Sequence, residues 1–331
     1  MSHSLAACIY AEQLRMHGHG EPLWQPEPRP EDGEVLIGDV GFIEDGRFYR
    51  LFNARFPADH PINKDGVPDG FVPLEYNERA LLQKNEHYLG PTPLYSKSVS
   101  TNKVAVGGGA KGAYASYRFT CRSEKGAVLI PGGDITLWHV QRNRSFPEYV
   151  RLYHDSWHQF AEAQTRVINA EDIILVTGFL KASEWAVAAI ANHGKAHGVS
   201  FSAQGVPVAQ AEFTLEHDAT VEMSVTQRSG PKRSADPRGG PRDQCLFLKY
   251  YKAKRNRFLG RKIVANAEPQ DDEHGGGDQA WIPNSDLVLG VARNPSVGSL
   301  TVEEVPSTMS LNDPLDHALN YILTLLPRSP L

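Results

Sequence analysis

Cysteine is scarce. The three cysteines in 331 residues, Cys8, Cys121 and Cys245, stand far apart, and without paired spacing they give neither a disulfide framework nor a zinc knuckle. Their expected role is packing. Long hydrophobic runs are lacking too: no stretch reaches the ~18 apolar residues of a transmembrane helix. The apolar stretch from Ser4 to Tyr10 is short and has no basic flank of the kind that marks a signal peptide. A cytoplasmic protein is the expectation. Catalytic signatures are missing as well. Gly107-Gly108-Gly109 is not followed by Gly-Lys-Ser/Thr, so these glycines read as a hinge and not as a phosphate loop. No nucleophile elbow, kinase motif set or dinucleotide fingerprint occurs, so neither a catalytic set nor a cofactor is expected.

What is present is ordinary globular composition, 40% apolar with a net charge of −5. The proline-rich stretch up to residue 32 reads as an irregular leader holding at most a short helix. Residues 33–265 read as a single α+β domain, a twisted antiparallel sheet with one long packed helix. Residues 266–306 form an acidic, glycine-rich linker and irregular segment. An amphipathic tail over 307–331 carries a short C-terminal helix at 314–326.

The long helix is signalled at Ser145, where Ser145 and Glu148 have the spacing of a capping box and Pro147 sits in the first turn. Phe146, Val150, Tyr153, Trp157, Phe160, Ala161 and Val167 then recur on one stripe, so the helix should lie on a sheet. Ile173 to Thr177 is a β-branched run suited to a strand buried on both faces. Asp45-Gly46 divides two apolar stretches and predicts a β-hairpin. Residues 57–96 read as a long excursion with one helical turn near Ala80–Leu82. A second hairpin is expected over 111–140, turning at Glu124-Lys125-Gly126. Beyond Trp185, alternating segments write antiparallel sheet.

His154 and His158 have a metal-ligand spacing, but a core-edge histidine pair explains them equally. His193 and His197 fit a loop, and His17 and His19 a polar leader. Asp39, His139 and His154 are the residues an enzyme reading would need around a pocket bounded by the 57–96 excursion. The clearest electrostatic feature lies between Arg228 and Lys262, with twelve Lys or Arg against two Asp. This basic strand suits anionic lipid headgroups or an acidic partner. The negative chain as a whole disfavours a nucleic-acid binder.

At 38–54 (GDVGFIEDGRFYRLFNA), 126–134 (GAVLIPGGD) and 153–190, the chain resembles a large, largely uncharacterised family from mushroom-forming fungi. The matching positions are Gly38, Asp39 and Gly41, with Thr177, Gly178, Lys181 and Trp185 in the later block. That family implies no activity. In the order of its elements, a helix, a strand reading Ile174-Leu175-Val176-Thr177 and then long alternating strands, the chain is also similar to the pore-forming domain of gasdermins. This resemblance implies membrane hairpins at 185–203 and 211–227, restraint by helix 314–326, and assembly of several copies on the membrane. It also implies lipid contacts by Lys249, Lys252, Lys254, Arg255, Arg257, Arg261 and Lys262. The alternatives are a soluble recognition domain docking an acidic partner, and an enzyme with an unrecognised small-molecule site.

Overall fold

The structure, a computed structural model, describes residues 1–109, 112–192, 199–204, 212–216, 223–231, 240–255 and 300–306. Helix α1 (His3–Leu14) leads to strands β1 (Glu21–Pro22), β2 (Asp39–Glu44) and β3 (Arg47–Asn53), then helix α2 (Glu78–Leu81). Next come β4 (Leu82–Leu89), β5 (Leu94–Tyr95), β6 (Val99–Gly109), β7 (Gly112–Cys121), β8 (Lys125–Pro131) and β9 (Ile135–Val140). Helix α3 (Ser145–Ala163) precedes β10 (Ile174–Ala182), β11 (Trp185–Asn192), β12 (Val199–Gln204), β13 (Glu212–Glu216) and β14 (Met223–Gly230). The last two strands are β15 (Gln244–Arg255) and β16 (Leu300–Val305). The fold is α+β, and every ladder among the described residues is antiparallel.

β10 is the centre of the larger sheet, and all nine of its residues are buried. One edge pairs with β15 over most of its length. The other edge changes partner, pairing with β2 at Ile174 and Leu175 and with β9 from Gly178 to Lys181. The sheet thus forks. Helix α3 packs on it with Phe146, Tyr149, Val150, Trp157 and Ala161 buried. Val167 lies past the end of this helix and is fully exposed, contrary to the predicted stripe. The capping box does not form: Ser145 is already helical, and Asn143 Oδ1 accepts from Phe146 N at 3.3 Å instead.

The Asp45-Gly46 hairpin is present, with both turn residues at positive φ (47° and 74°) as a two-residue primed turn requires. Its other end is fixed by Asp39, fully buried, whose carboxylate accepts from Arg50 Nε at 2.6 Å and Nη2 at 2.8 Å. Asn53 Nδ2 and Leu36 N, each at 2.7 Å, complete its shell. Burial pushes the carboxyl's pKa up, against the lowering pull of Arg50 and these N–H donors.

A second layer is a ribbon of two long hairpins. β5 and β6 run antiparallel to β8 and β7 respectively, with only residues 96–98 and 122–124 interrupting the two sides. β8 pairs with β11 and β7 with β12, while β14 pairs with β11 and β13 with β12. The two hairpins therefore lie side by side as β5-β8-β11-β14 in a base section and β6-β7-β12-β13 in a distal one. This corrects the predicted pairings. The strands at 112–121 and 125–131 are successive parts of one side of a hairpin, so the Glu124-Lys125-Gly126 stretch does not reverse the chain. Likewise 185–203 and 211–227 are the two sides of one hairpin, not two hairpins.

The leader contains the short helix and packs it into the fold. Helix α1 is capped by Ser2 Oγ accepting from Leu5 N, and it buries Ala6, Ala7, Ile9, Tyr10 and Leu14 against β8 and β11 of the base section. Its apolar residues are spread around the helix, so no amphipathic stripe marks it in the sequence. β1 then adds to β15. The predicted tail helix 314–326 lies outside the described residues.

Removing one partner of a buried ion pair leaves the other charge uncompensated, at a cost of about 3–5 kcal/mol. Asp39→Ala should lower stability in urea unfolding by that amount. A loss below about 1 kcal/mol would show that Arg50 is not held by this pair.

Candidate functional site

The residues singled out by the predicted resemblance, Gly38, Asp39, Gly41, Thr177, Gly178, Lys181 and Trp185, gather along β10 and its neighbours. Gly38 N donates to Val176 O at 2.9 Å, and Gly41 stands opposite Ile174. Gly38 has φ +83°, and a Cβ there would lie 2.4 Å from Arg55 Cγ. At Gly178, beside a register shift, a Cβ would lie 2.7 Å from the Trp138 carbonyl oxygen. Thr177 is buried in the same strand. Trp185 opens β11 and donates to Gln244 Oε1 at 3.0 Å, tying the ribbon to β15. The motif thus builds the fork and the step from sheet to ribbon. Lys181 alone among these residues brings a buried cation, donating to Glu34 Oε2 at 2.8 Å and Val35 O at 2.6 Å.

The basic strand is β15, and a feature missed in the sequence covers it. β16 pairs along its outer edge, setting Glu303 opposite Lys252 and Glu304 opposite Tyr251. Glu303 Oε2 lies 2.5 Å from Lys254 Nζ, and Glu304 Oε2 accepts from Arg142 Nε at 2.8 Å. Leu300, Val302 and Val305 pack against the core beneath. Half-exposed ion pairs contribute only about 0–1 kcal/mol each, so the ladder and these apolar contacts hold β16 more than its charges do. Its acids still neutralise the strand they cover. The signal was present as Glu303-Glu304 between alternating apolar residues, within a segment read as irregular.

Of the seven predicted lipid contacts, three have described side chains. Lys249 is half-buried, its stem beside Gly20 and Gly178, and burial lowers its pKa. Lys252 is partly covered and Lys254 is exposed. Arg255 pairs through its backbone with Leu300. Arg257, Arg261 and Lys262 lie outside the described residues, as do His193 and His197.

The residues of the enzyme reading sit on three elements, Asp39 on β2, His139 on β9 and His154 on α3. His154 Nε2 bonds Ala170 O at 2.8 Å and His158 Nε2 bonds Ile168 O at 3.1 Å, so the pair staples α3 to the segment leading into β10. Among the described residues, no group of three or more His, Cys, Asp or Glu side chains is placed to hold a metal. His17 and His19 stack in parallel, and His19 meets Phe247 edge-on. Burial, with Lys249 nearby, lowers both His19 and His139 from 6.5 to about 4.

The register of the distal section sorts its residues into two kinds of file. Val99 and Val199 both face Cys121, Thr101 and Phe201 both face Phe119, and Phe201 faces Leu215. Between them run Ser100, Thr120, Ser200 and Glu216, then Asn102, Arg118, Ser202 and Thr214. Apolar residues predominate in one kind of file and polar residues in the other, with Thr101 and Lys103 of β6 the exceptions, and the alternation stops at the register shift between Lys103 and Ala105.

No protein-family model matches the chain, and no curated protein sequence matches it. One solved structure similar to it is the cryo-EM structure of the gasdermin A3 membrane pore, 10% identical, spanning 80% of this chain and 97% of that one with a TM-score of 0.23. At that score the likeness carries no argument about function.

Two outcomes are expected. Between pH 6.5 and about 4 the unfolded histidines bind protons that folded His19 and His139 do not, so stability should fall as pH drops through that window. Thermal melts of His19→Gln/His139→Gln should lose part of this slope, and an unchanged slope would exclude these residues as its source. Reversing charge with Glu303→Lys/Glu304→Lys should speed amide hydrogen exchange at 250–255 and leave 174–182 protected. Equal protection of both segments would show that the acids do not help to hold β16.

Proposed function

We propose that the protein is a gasdermin-like, membrane-acting pore former, cytoplasmic until released, which binds anionic lipids through β15 and is restrained by its C-terminal part. The observation that carries this reading is the distal section of the ribbon. Membrane β-strands need about 9–11 residues with apolar and polar positions alternating; β6 and β7 have the length, 11 and 10 residues, and β7 alternates from Ser116 to Cys121. β12 and β13 extend the same files on the second hairpin. Four strands cannot close a barrel, and open edges are not tolerated in lipid. Insertion therefore requires several copies joined edge to edge, which makes a homo-oligomer part of the proposal.

Restraint is assigned first to β16. Glu303 occupies the side of β15 on which Lys252 and Lys254 stand, and releasing β16 frees them, together with Arg255, for headgroups. Lys249, Arg257, Arg261 and Lys262 complete the proposed lipid-binding set. The tail helix at 314–326, following β16 in the chain, would add to the same restraint.

Dye leakage from phosphatidylserine vesicles tests the reading. Full-length Glu303→Lys/Glu304→Lys should leak dye faster than the wild-type protein. Adding Phe201→Arg, in an apolar file, costs about 2–4 kcal/mol at the bilayer midplane and should abolish leakage. Ser202→Arg, in a polar file, should preserve it. Absence of leakage from the folded double variant, under conditions where a control pore former acts, would overturn the proposal.

A further inference from the structure

The fork in the larger sheet opens a cavity of about 590 Å³. Its origin is in β10, whose edge is paired to β2 at Leu175 and to β9 from Gly178 onward. The two partners diverge, and the space between them is walled by the 34–37 segment on one side and by β9 and β4 on the other. Phe179 and Lys181, two apart on β10, lie on its base, with Trp138 and Thr136 opposite them in register. The volume lies within the ~300–1,000 Å³ of small-molecule pockets.

Its lining is a layer of cations over aromatic rings. Lys181 Nζ stands 3.9 Å from the Phe179 ring centre and Lys84 Nζ 5.0 Å from that of Trp138. Arg55 and Arg242 add two guanidinium groups to the rim. Three of the four cations meet one carboxylate each: Lys181 with Glu34, Lys84 with Glu86 and Arg55 with Glu78. Those carboxylates are about half exposed (48%, 57% and 50%), so they can turn to water without losing solvation. Arg242 differs. Among the described residues its Nη1 donates to the Glu86 carbonyl at 2.7 Å and the Thr136 hydroxyl at 2.5 Å, and neither acceptor is charged. The cavity therefore carries one cation more than its carboxylates balance, beside an apolar wall that includes Trp138, Phe179 and Leu36.

We infer that the fork cavity is a binding site for a small amphipathic organic acid. Its anionic head bridges Arg242 and Lys84, and its aromatic or alkyl body lies along Trp138 and Phe179. A bound acid touches both β9–β4 and the segment leading into β2, so it ties together the two arms of the fork. The site is independent of the membrane reading, since no lining residue belongs to the distal ribbon or to β16.

Calorimetric titration of the full-length protein with 2-naphthoate, its neutral isostere 2-naphthamide, and dodecyl phosphate tests the inference. One equivalent of 2-naphthoate or dodecyl phosphate should bind below about 1 mM, and which of them binds tighter tells an aromatic from an alkyl body. Hydrogen bonds to charged groups are worth about 1.5–3 kcal/mol, so the amide should bind at least about ten-fold more weakly. Arg242→Met and Lys84→Met remove exposed or half-exposed side chains and should each weaken the acids by a similar factor, whereas Val167→Ser, remote and fully exposed, should not. Equal binding of acid and amide, insensitivity to both cation variants, or no binding of either acid at about 1 mM would overturn the inference.

Discussion

A strand buried along its whole length must find hydrogen-bond partners for both edges and apolar cover for both faces, and β10 is that strand. The rest of the molecule answers this demand. β15 satisfies one edge, β2 and β9 share the other, α3 lies on the sheet, and side chains of α1 share a core with Leu180. Sharing an edge between two partners creates the fork, and the fork fixes where small or buried polar residues are tolerated. Gly38 and Gly178 let backbones approach at the divergence, and Lys181 can be buried because Glu34 and the Val35 carbonyl reach it there. Only Ser183 and Glu184 then separate β10 from β11, so the central strand leads directly into the ribbon.

The ribbon has two sections with different surroundings. In the base section, Ala127, Leu129, Val187 and Ala189 belong to the core shared with α1, while Val128, Ile130, Ala186 and Ala188 belong to a second core. Burial on both faces makes this part a permanent element of the fold. The distal section joins that second core at its near end through Val99, Phe119 and Cys121, and its register places polar residues such as Ser100, Thr120 and Arg118 in the files between. Such a pattern needs one apolar surface and one wet one, which in the proposed function are supplied by lipid and lumen. The interruptions at 96–98 and 122–124, bridged by Ser96 and Ser98 to Ala127, Lys125 and Arg122, mark the boundary between the sections.

Local chemistry made part of this legible. The Asp45-Gly46 turn, the stripe of α3 and the apolar run of β10 each carry their signal within a few residues, and the structure contains all three. Long-range pairing does not. That β8 lies between β5 and β11 and does not fold back on β7 depends on residues about 60 positions apart, which no local period encodes. Helix α1 was legible only as a short helix within the leader because it is apolar on several sides, and β4 was missed because its exposed edge reads as polar loop. At the candidate site, Lys181 was marked by a motif without a role. The cavity was illegible for a plainer reason: its lining runs from Glu34 to Arg242 and becomes adjacent only when the fork forms.

Charge on β15 is distributed so that its lysines are not equivalent. Lys249 is wedged where β1's approach and Gly178 confine its stem, and its burial already disfavours the protonated form. To reach a headgroup it would have to leave that position, at the cost of the packing around it. Lys252 and Lys254 need no such rearrangement, because what meets them is one carboxylate, Glu303, on a six-residue edge strand. In the proposed function, anionic headgroups and the Glu303 carboxylate are alternative partners for the same two ammonium groups. On that proposal, neutralisation by β16 and attraction to an acidic membrane would be two uses of one charge, and only one could be realised at a time.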